Sequence, residues 1–299
     1  MTPAGRPSTA GPYPLAACSG VAVLAPGGIA GGRSRQAALG AVCHSATVDA
    51  TALHPLAARF ADVAGAYERG RPEYAPAVVG AFVAELRIPP GAPVLDLAAG
   101  TGKLTRALLE QGLDVTAVEP QPSLLEILAD SVGAQRVREG FAEAIPLADS
   151  SVTAVTVADA FHWFDHARAL AEIRRVLRPG GGLVVLTTVP DWSGASWAHE
   201  VGTLVARLRP EHPYMDGPPW QASVRAASGW AAPHEVRVTA SQPVDPDRVL
   251  DYLASLSWVA ALPDEQRAQT LARIDALVRA GQTPARLPLH VVIGLATVT

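Results

Sequence analysis

Apolar positions recur at helical and strand-like spacings in alternation between residues 75 and 190. Val79, Phe82 and Leu86 lie three or four positions apart, which predicts an amphipathic helix over about residues 75–87. Short runs of apolar and β-branched residues then recur at 94–97, 115–118, 152–157 and 183–186. Strands buried on both faces read as such continuous runs, so the pattern predicts a doubly wound α/β fold with a mostly parallel sheet.

Helix signals separate these strands. A capping box of Ser123 and Glu126 predicts the start of one helix, and Gly133 predicts its end. Asp165 is predicted to cap a further helix. The glycine-rich stretch 178–182 is predicted to be a tight connection into the next strand.

The segment 191–234 has a different composition, because it is rich in proline and tryptophan. We predict that it is an inserted lid or substrate-side segment folded over the sheet. Its aromatic residues either line a substrate pocket or fasten the insertion to the core, and the sequence leaves both interpretations open. Four of the six tryptophans lie here: Trp192, Trp197, Trp220 and Trp230. Beyond it, the pattern predicts strands at 236–238 and 287–293 and a helix over 264–279.

The first 48 residues are predicted to be a disordered extension, which leaves one domain over 49–299. They contain 13 glycines and prolines and three charged residues, and no helical or strand period continues through them. Two sharper interpretations compete with this one. Leu15 to Cys18 resembles a lipoprotein cleavage box, but four prolines precede it; a cleaved secretory peptide is the second interpretation.

Composition narrows the class of protein. Of 299 residues 49% are hydrophobic and 17% are charged, which provides a sizeable core and excludes a mainly disordered chain. The formal net charge of −4 disfavours a nucleic-acid partner. No uncharged apolar run reaches the roughly 18 residues of a membrane helix, so no membrane partner is expected. The two cysteines, Cys18 and Cys43, precede the core, which fits a cytoplasmic protein without disulfides. No residue cluster has the spacing of a metal site.

The candidate chemistry lies where the first two strands end. The bend from Asp96 to Gly102 follows the first strand and leads into a helix, whose unpaired N–H groups favour an anionic group. Glu119 ends the second strand, and a carboxylate there can accept hydrogen bonds from both hydroxyls of a ribose. The pattern therefore predicts an adenosine-type cofactor.

Two cofactors of that type compete. A nicotinamide dinucleotide requires G-x-G-x-x-G; Gly100 and Gly102 match the first two glycines, but Thr105 stands at the third. The carboxylate of Asp96 also disfavours a pyrophosphate, because it adds repulsion at the phosphate position. A sulfonium cofactor with an α-amino group tolerates that acid.

Four segments carry a resemblance to a known family. The run 94–105, with Asp96-Leu97-Ala98-Ala99-Gly100-Thr101-Gly102 at its centre, resembles the first motif of class I S-adenosylmethionine-dependent methyltransferases, most of all the small-molecule group of methyltransferase type 11. The segments 141–147, 160–165 and 177–181 are similar to the family's later motifs. The resemblance implies a Rossmann-like, seven-stranded sheet, S-adenosyl-L-methionine as cofactor, a small-molecule methyl acceptor and a monomer or weak homodimer.

The resemblance also implies roles for individual residues. Asp96, Ala98, Gly100 and Gly102 would hold the amino-acid end of the cofactor, Glu119 the ribose and Pro120 the adenine. Tyr67 and Arg71 would close over the methionine carboxylate. The adenine edge would be bordered by Ala142 and Glu143, and Asp159 stands where family members often carry glutamine.

Three departures from the family pattern keep other functions open. Ala98 replaces the first glycine of the bend, Phe141 replaces a carboxylate of the adenine loop, and Asp159 replaces the glutamine. The departures at Ala98 and Phe141 keep a non-catalytic binding module as an alternative, and the partial glycine motif keeps a nicotinamide-dependent oxidoreductase as another.

For methyl transfer by in-line displacement, the chain mainly has to hold the acceptor in position. His162 follows the fourth strand and is the candidate general base, with a substrate-positioning or a structural role as alternatives.

Overall fold

The computed structural model describes residues 53–299. The predicted extension over 1–48, the Leu15–Cys18 box and both cysteines lie outside these residues. Across 53–299, no helix is both long and apolar enough to cross a bilayer.

The centre of the fold is one seven-stranded sheet with the order β3-β2-β1-β4-β5-β7-β6. Strands β1 to β5 pair in parallel, and β7 runs antiparallel to both β5 and β6. The predicted doubly wound, mostly parallel sheet is therefore confirmed. The strands are β1 Pro93–Leu97, β2 Asp114–Glu119, β3 Val137–Glu139, β4 Val152–Ala158, β5 Leu177–Pro190, β6 His234–Pro243 and β7 Arg286–Thr297.

Helices cover both faces of the sheet, because alternate strand residues pack into two separate apolar clusters. In β5, Val184 and Leu186 belong to one cluster, whereas Leu183 and Val185 belong to the other. The helices are α1 Pro55–Ala58, α2 Ala64–Gly70, α3 Pro76–Glu85, α4 Lys103–Glu110, α5 Pro122–Val132, α6 His166–Val176, α7 Ala198–Leu208, α8 Pro213–Asp216, α9 Trp220–Ala226, α10 Pro246–Ala254, α11 Ser257–Ala260 and α12 Asp264–Ala280.

Of the two helix starts predicted from capping residues, one is confirmed and one is wrong. Asp165 caps α6, since its carboxylate accepts hydrogen bonds from the N–H groups of Ala167 and Arg168. The capping box predicted at Ser123 is wrong. Helix α5 begins one residue earlier, at Pro122, and its cap residue Gln121 makes no side-chain capping bond. Proline at the first helical position supplies the required φ, so α5 begins without the capping box.

The stretch 178–182 belongs to β5 rather than to a separate connection. Its pairing with β4 shifts register, from Val152 opposite Leu177 to Ala154 opposite Gly182. Gly180 has a φ of +74°, a left-handed conformation that suits glycine. The glycines thus form an irregularity within a long strand.

The segment 191–234 contains α7, α8 and α9 and ends where β6 begins. Trp192 and Trp197 are buried with Tyr252 and Trp258 in one apolar cluster, so these two tryptophans fasten the segment to the core. Trp220 packs directly on the sheet: a Cβ added to Gly294 would lie 2.1 Å from its ring. A second helical segment, α10 to α12, connects β6 to β7.

Candidate functional site

The bend after β1 is built from left-handed residues. The φ angles of Ala98, Gly100 and Gly102 are +56°, +59° and +90°. Alanine pays a steric cost in this region that glycine does not, so the departure at Ala98 places local strain in the bend. The N–H of Ala99 donates to the carbonyl of Val118 at 3.0 Å, which holds the bend against β2.

Glu119 lies at the end of β2 and is 4% exposed. Its Oε2 accepts a hydrogen bond from the N–H of Gly100 at 2.9 Å, and its Oε1 accepts one from the N–H of Gln121 at 3.0 Å. Burial raises the pKa of Glu119 to about 7, against the two N–H donors, which lower it. The side chain faces a cleft, the Glu119 cavity, and each carboxylate oxygen keeps a lone pair for a ligand.

The Glu119 cavity has a volume of about 110 Å³, and its lining includes the apolar side chains of Ala57, Leu124, Phe141 and Ala142. Pro120, Ala142 and Glu143 all line it. These are the residues that the family resemblance would place beside the adenine. The carboxylate of Glu143 already accepts a hydrogen bond from the N–H of Asp165 at 2.8 Å, so this side chain also ties the loop to α6.

Asp96 lies below the bend and is 1% exposed. Its two carboxylate oxygens accept hydrogen bonds from the hydroxyls of Thr105, at 2.6 Å, and Thr156, at 3.1 Å. Burial raises the pKa of Asp96 to about 6. A small adjoining cleft is lined by Asp96, Thr101 and Lys103, and the buried hydroxyl of Thr101 has no hydrogen-bond partner among the described residues.

Gly102 is placed differently from the other residues of the motif. A Cβ at this position would lie 2.7 Å from Leu128 of α5. This contact with α5 and its φ of +90° both favour glycine, and Gly102 does not line the Glu119 cavity.

Tyr67 and Arg71 cover the bend from the N-terminal side. A Cβ on Gly100 would lie 3.7 Å from the Tyr67 ring, so glycine keeps the space between bend and ring open. The Arg71 guanidinium lies 5.2 Å from the centre of the Tyr67 ring and 5.1 Å from that of Tyr252. It donates to the hydroxyl of Ser255 at 2.9 Å and to the carbonyl of Ser255 at 3.0 Å.

Ion pairs fix this covering segment to α4. Lys103 is 6% exposed and pairs with Glu73 and, at 3.6 Å, with Glu68. Arg106 pairs with Glu68 at 3.0 Å. The two basic residues of α4 thereby hold the segment over the motif.

Asp159 is the residue that joins the cavities of the site. It lines the Glu119 cavity, the small cleft at Asp96 and two further cavities on the other side of β4. Its φ is +51°. Its carboxylate accepts hydrogen bonds from the Tyr74 hydroxyl at 3.1 Å and the Thr188 N–H at 3.0 Å. Burial raises the pKa of Asp159, while the nearby Arg71 charge lowers it.

One of these further cavities, which we call the aromatic vestibule, contains His162. Its walls include His212, Tyr214, Tyr252 and Trp258. The His162 ring lies 5.0 Å from that of Tyr214 and 5.5 Å from that of His212. Burial holds the pKa of His162 well below its usual value and lowers that of His212 to about 4. Both imidazoles are therefore neutral at pH 7. His162 lines the vestibule beside Asp159 but not the Glu119 cavity.

Sequence reasoning missed the residues that α8, α10 and α11 bring to the site: His212, Tyr214, Tyr252, Ser255 and Trp258. A signal for α10 is present in the sequence. Asp245 precedes Pro246, which is typical of a helix start, and Val249, Tyr252 and Leu253 follow at helical spacing. The structure confirms this start, since the Asp245 carboxylate accepts a hydrogen bond from the N–H of Arg248.

The strand order, the bend after β1 and the acid at the end of β2 define a doubly wound α/β protein with a ligand cleft at the carboxyl ends of its parallel strands. Residues 95–185 match the family model described as a methyltransferase domain. An uncharacterized methyltransferase of Mycobacterium bovis is 39% identical over 220 residues, which cover 73% of this chain and 85% of that protein.

Two further relatives are also a methyltransferase-like protein and a methyltransferase. An uncharacterized methyltransferase-like protein of Schizosaccharomyces pombe is 31% identical over 71% of this chain and 83% of its own length. A demethylmenaquinone methyltransferase of Thermus thermophilus is 40% identical over 109 residues, which are 34% of this chain and 50% of that protein. The chain belongs to the methyltransferase family.

Proposed function

We propose that the protein transfers a methyl group from S-adenosyl-L-methionine to a small-molecule acceptor by in-line displacement. The observation that carries the proposal is the position of Glu119: a buried carboxylate that faces a cleft partly lined by apolar side chains. A carboxylate beside an apolar slot suits the ribose and the adenine of an adenosyl group.

Three observations test the fit of this cofactor. The Glu119 carboxylate keeps free lone pairs after its two backbone bonds, so it can accept from ribose hydroxyls. The orphaned hydroxyl of Thr101 lies in the cleft next to Lys103 and Asp96, at the amino-acid end. Gly100 keeps space open against Tyr67. These features are compatible with S-adenosyl-L-methionine, which when bound supplies a methyl group on a positively charged sulfur.

The chain's own residues would hold and orient the two reactants. Glu119 would fix the ribose, Ala142 and Pro120 would border the adenine, and Arg71 would attract the methionine carboxylate. Tyr67, whose ring lies over Gly100, would shield the bend from solvent. Neutral His162 would accept a hydrogen bond from the methyl acceptor or donate one to it. Its low pKa makes it a weak general base.

A small-molecule acceptor is supported by the lining of the vestibule. Residues of α8, α10 and α11 line it, and Phe60, Tyr252 and Trp258 contribute aromatic rings. Small-molecule sites are lined mainly by apolar and aromatic side chains with a few polar groups, which here include Asp159, His162 and His212.

Calorimetric titration with S-adenosylmethionine, S-adenosylhomocysteine and NADH tests the cofactor. We expect the first two to bind and NADH not to bind. Glu119→Ala should weaken the binding of S-adenosylhomocysteine by roughly 1–3 kcal/mol. Glu139→Ala is the matched control, because Glu139 pairs in register with Glu119 but is exposed on the edge strand. Equal affinity in the Glu119 variant and the control would contradict the ribose role.

A further inference from the structure

Asp159 also lines a cavity that lies on the face of the sheet, beneath α8 and α9, and is separate from the aromatic vestibule. We call it the sheet-face chamber. Its floor is formed by Val185 of β5 and Val292 of β7, and its roof by Pro219 and Trp220. Its volume is about 490 Å³, against about 110 Å³ for the Glu119 cavity. This volume lies within the roughly 300–1,000 Å³ of small-molecule sites.

The chamber has fixed walls. Val291 and Ile293 face the cluster on the opposite side of the sheet, so the alternation of β7 directs Val292 toward the chamber. Trp220 packs on the backbone of β7 at Gly294, where no Cβ would fit. The Trp220 ring can therefore lie directly against the backbone of β7, because Gly294 has no side chain.

The inner end of the chamber reaches the aromatic vestibule. Asp159, His162 and Tyr214 line both cavities, and Asp159 also lines the Glu119 cavity. A molecule in the chamber can therefore place one end at Asp159, next to the proposed cofactor site.

The charges of the chamber select among ligands. Asp159 lies at the inner end, and Glu235 and Arg237 lie at the mouth, where they pair with each other at 3.4 Å. Burial lowers the pKa of both lining histidines, His162 and His166, so neither adds positive charge at pH 7.5. The Arg71 charge acts on Asp159 from the vestibule side and does not line the chamber. With Glu235 and Arg237 cancelling, Asp159 is therefore the remaining charge of the chamber lining, and its negative sign disfavours an anion there. Its carboxylate also favours a ligand group that donates a hydrogen bond.

We propose that the sheet-face chamber binds the body of the methyl acceptor, and that this acceptor is an uncharged ring compound with a hydroxyl group directed at Asp159. The identification of the ligand as a methyl acceptor rests on the proposed function, but the class of ligand that the chamber binds is testable without any methyl transfer.

The test uses 2-naphthol as probe, with 2-naphthoate as its anionic counterpart, in fluorescence titrations at pH 7.5. Val292→Phe fills the chamber from its floor, and Thr239→Phe adds a ring on the exposed surface of β6 as matched control. We expect 2-naphthol to bind to the wild type and the control alike and at least tenfold more weakly to Val292→Phe. We expect 2-naphthoate to bind at least tenfold more weakly than 2-naphthol.

Equal 2-naphthol affinity in Val292→Phe and Thr239→Phe overturns the proposal, as does failure of the wild type to bind 2-naphthol. If Val292→Phe does not fold by circular dichroism, Trp220→Ala removes the roof instead. This variant should bind at least fivefold more weakly, and unchanged affinity overturns the proposal. Titration of Val292→Phe with S-adenosylhomocysteine separates the two proposals. Normal affinity there leaves the cofactor site intact, whereas a wild type that binds 2-naphthol but no S-adenosylhomocysteine contradicts the proposed function alone.

Discussion

The Glu119 carboxylate accepts a hydrogen bond from the backbone N–H of Gly100 at 2.9 Å, across 19 residues of sequence. This bond joins the end of β2 to the bend after β1. Glu119 therefore has two tasks: it holds the bend in its left-handed conformation, and it faces the cavity.

Cofactor affinity is expected to depend on pH through Glu119. The pKa of this carboxyl is about 7 in the folded chain, and ribose hydroxyls donate best to its ionised form. Affinity for S-adenosylhomocysteine should therefore rise with pH, by about tenfold between pH 6 and pH 8. Isothermal titration in buffers of different ionisation enthalpy would also detect the proton released on binding.

The control for this pH effect is Glu119→Gln, which keeps the side-chain shape but cannot ionise. Its affinity should be weaker at pH 8 and nearly constant from pH 6 to pH 8. A wild type whose affinity does not change over this range would show that Glu119 is not the titrating contact.

Ala98→Gly is expected to stabilise the protein. Alanine at a φ of +56° costs about 1–2 kcal/mol, and glycine removes this cost at an entropic penalty of about 0.5–1 kcal/mol. The free energy of unfolding should rise by about 0.5–1 kcal/mol. Ala99→Gly, whose φ is not left-handed, should lower it instead. Urea unfolding of the two variants decides the matter, and a loss of stability in Ala98→Gly would mean that the bend carries no strain.

Sequence patterns predicted the parts of the site that depend on local signals. Asp96, Gly100 and Glu119 follow directly from strand ends and a glycine-containing bend, and the parallel strands follow from their apolar runs. The partners of Arg71 could not be predicted in the same way. Ser255 lies 184 residues away in sequence, and only the packing of α10 against α2 brings the two together.

The vestibule was missed for a similar reason. His212 and Tyr214 lie in a proline-rich stretch without periodicity, so no pattern placed them beside His162. Segment 191–234 was predicted to contribute aromatic residues either to a pocket or to the core. The structure divides them, since Trp192 is buried in the core whereas Trp220 lines the sheet-face chamber.

Arg71→Lys is expected to loosen the cover over the bend. Lysine cannot reproduce the two bonds to Ser255 or the stacking between Tyr67 and Tyr252. The free energy of unfolding should fall by about 2 kcal/mol, and affinity for S-adenosylhomocysteine should fall with it.

Arg69→Lys provides the comparison, because Arg69 lies in the last turn of α2, two residues before Arg71, is 66% exposed and pairs with Asp251 on the surface. It should change stability by less than about 1 kcal/mol. If both variants behave alike in guanidinium unfolding and in calorimetry, the contacts of Arg71 contribute no more than a surface ion pair.

His212→Gln is expected to make the protein less sensitive to acid. The pKa of His212 is about 4 in the folded chain and near 6.5 in the unfolded chain, so the unfolded state binds more protons between these values. This term is absent above pH 6.5 and destabilises the fold by up to about 1.4 kcal/mol per pH unit as the pH falls below it.

Asp96 and Glu119 oppose this effect, since their raised pKa values make the folded chain bind more protons in the same range. The comparison of variants removes their contribution. Between pH 7 and pH 5, urea unfolding should show a smaller loss of stability, or a larger gain, for His212→Gln than for the wild type. Exposed His199→Gln serves as control, and a pH profile for His212→Gln identical to the control would refute a neutral, buried imidazole.

Asp159→Asn is expected to alter the preference between the two forms of the cofactor. Asparagine can still accept from the N–H of Thr188 and bond the Tyr74 hydroxyl, so the variant should fold normally. The buried negative charge is lost, however, and S-adenosylmethionine carries a positive sulfur that S-adenosylhomocysteine lacks. The affinity for S-adenosylmethionine should fall about fivefold, or about 1 kcal/mol, while that for S-adenosylhomocysteine changes little.

Asp159→Ala, which also loses both hydrogen bonds, should weaken the binding of both ligands. Equal losses for the two ligands in the asparagine variant would place the Asp159 charge too far from the sulfur to act on it.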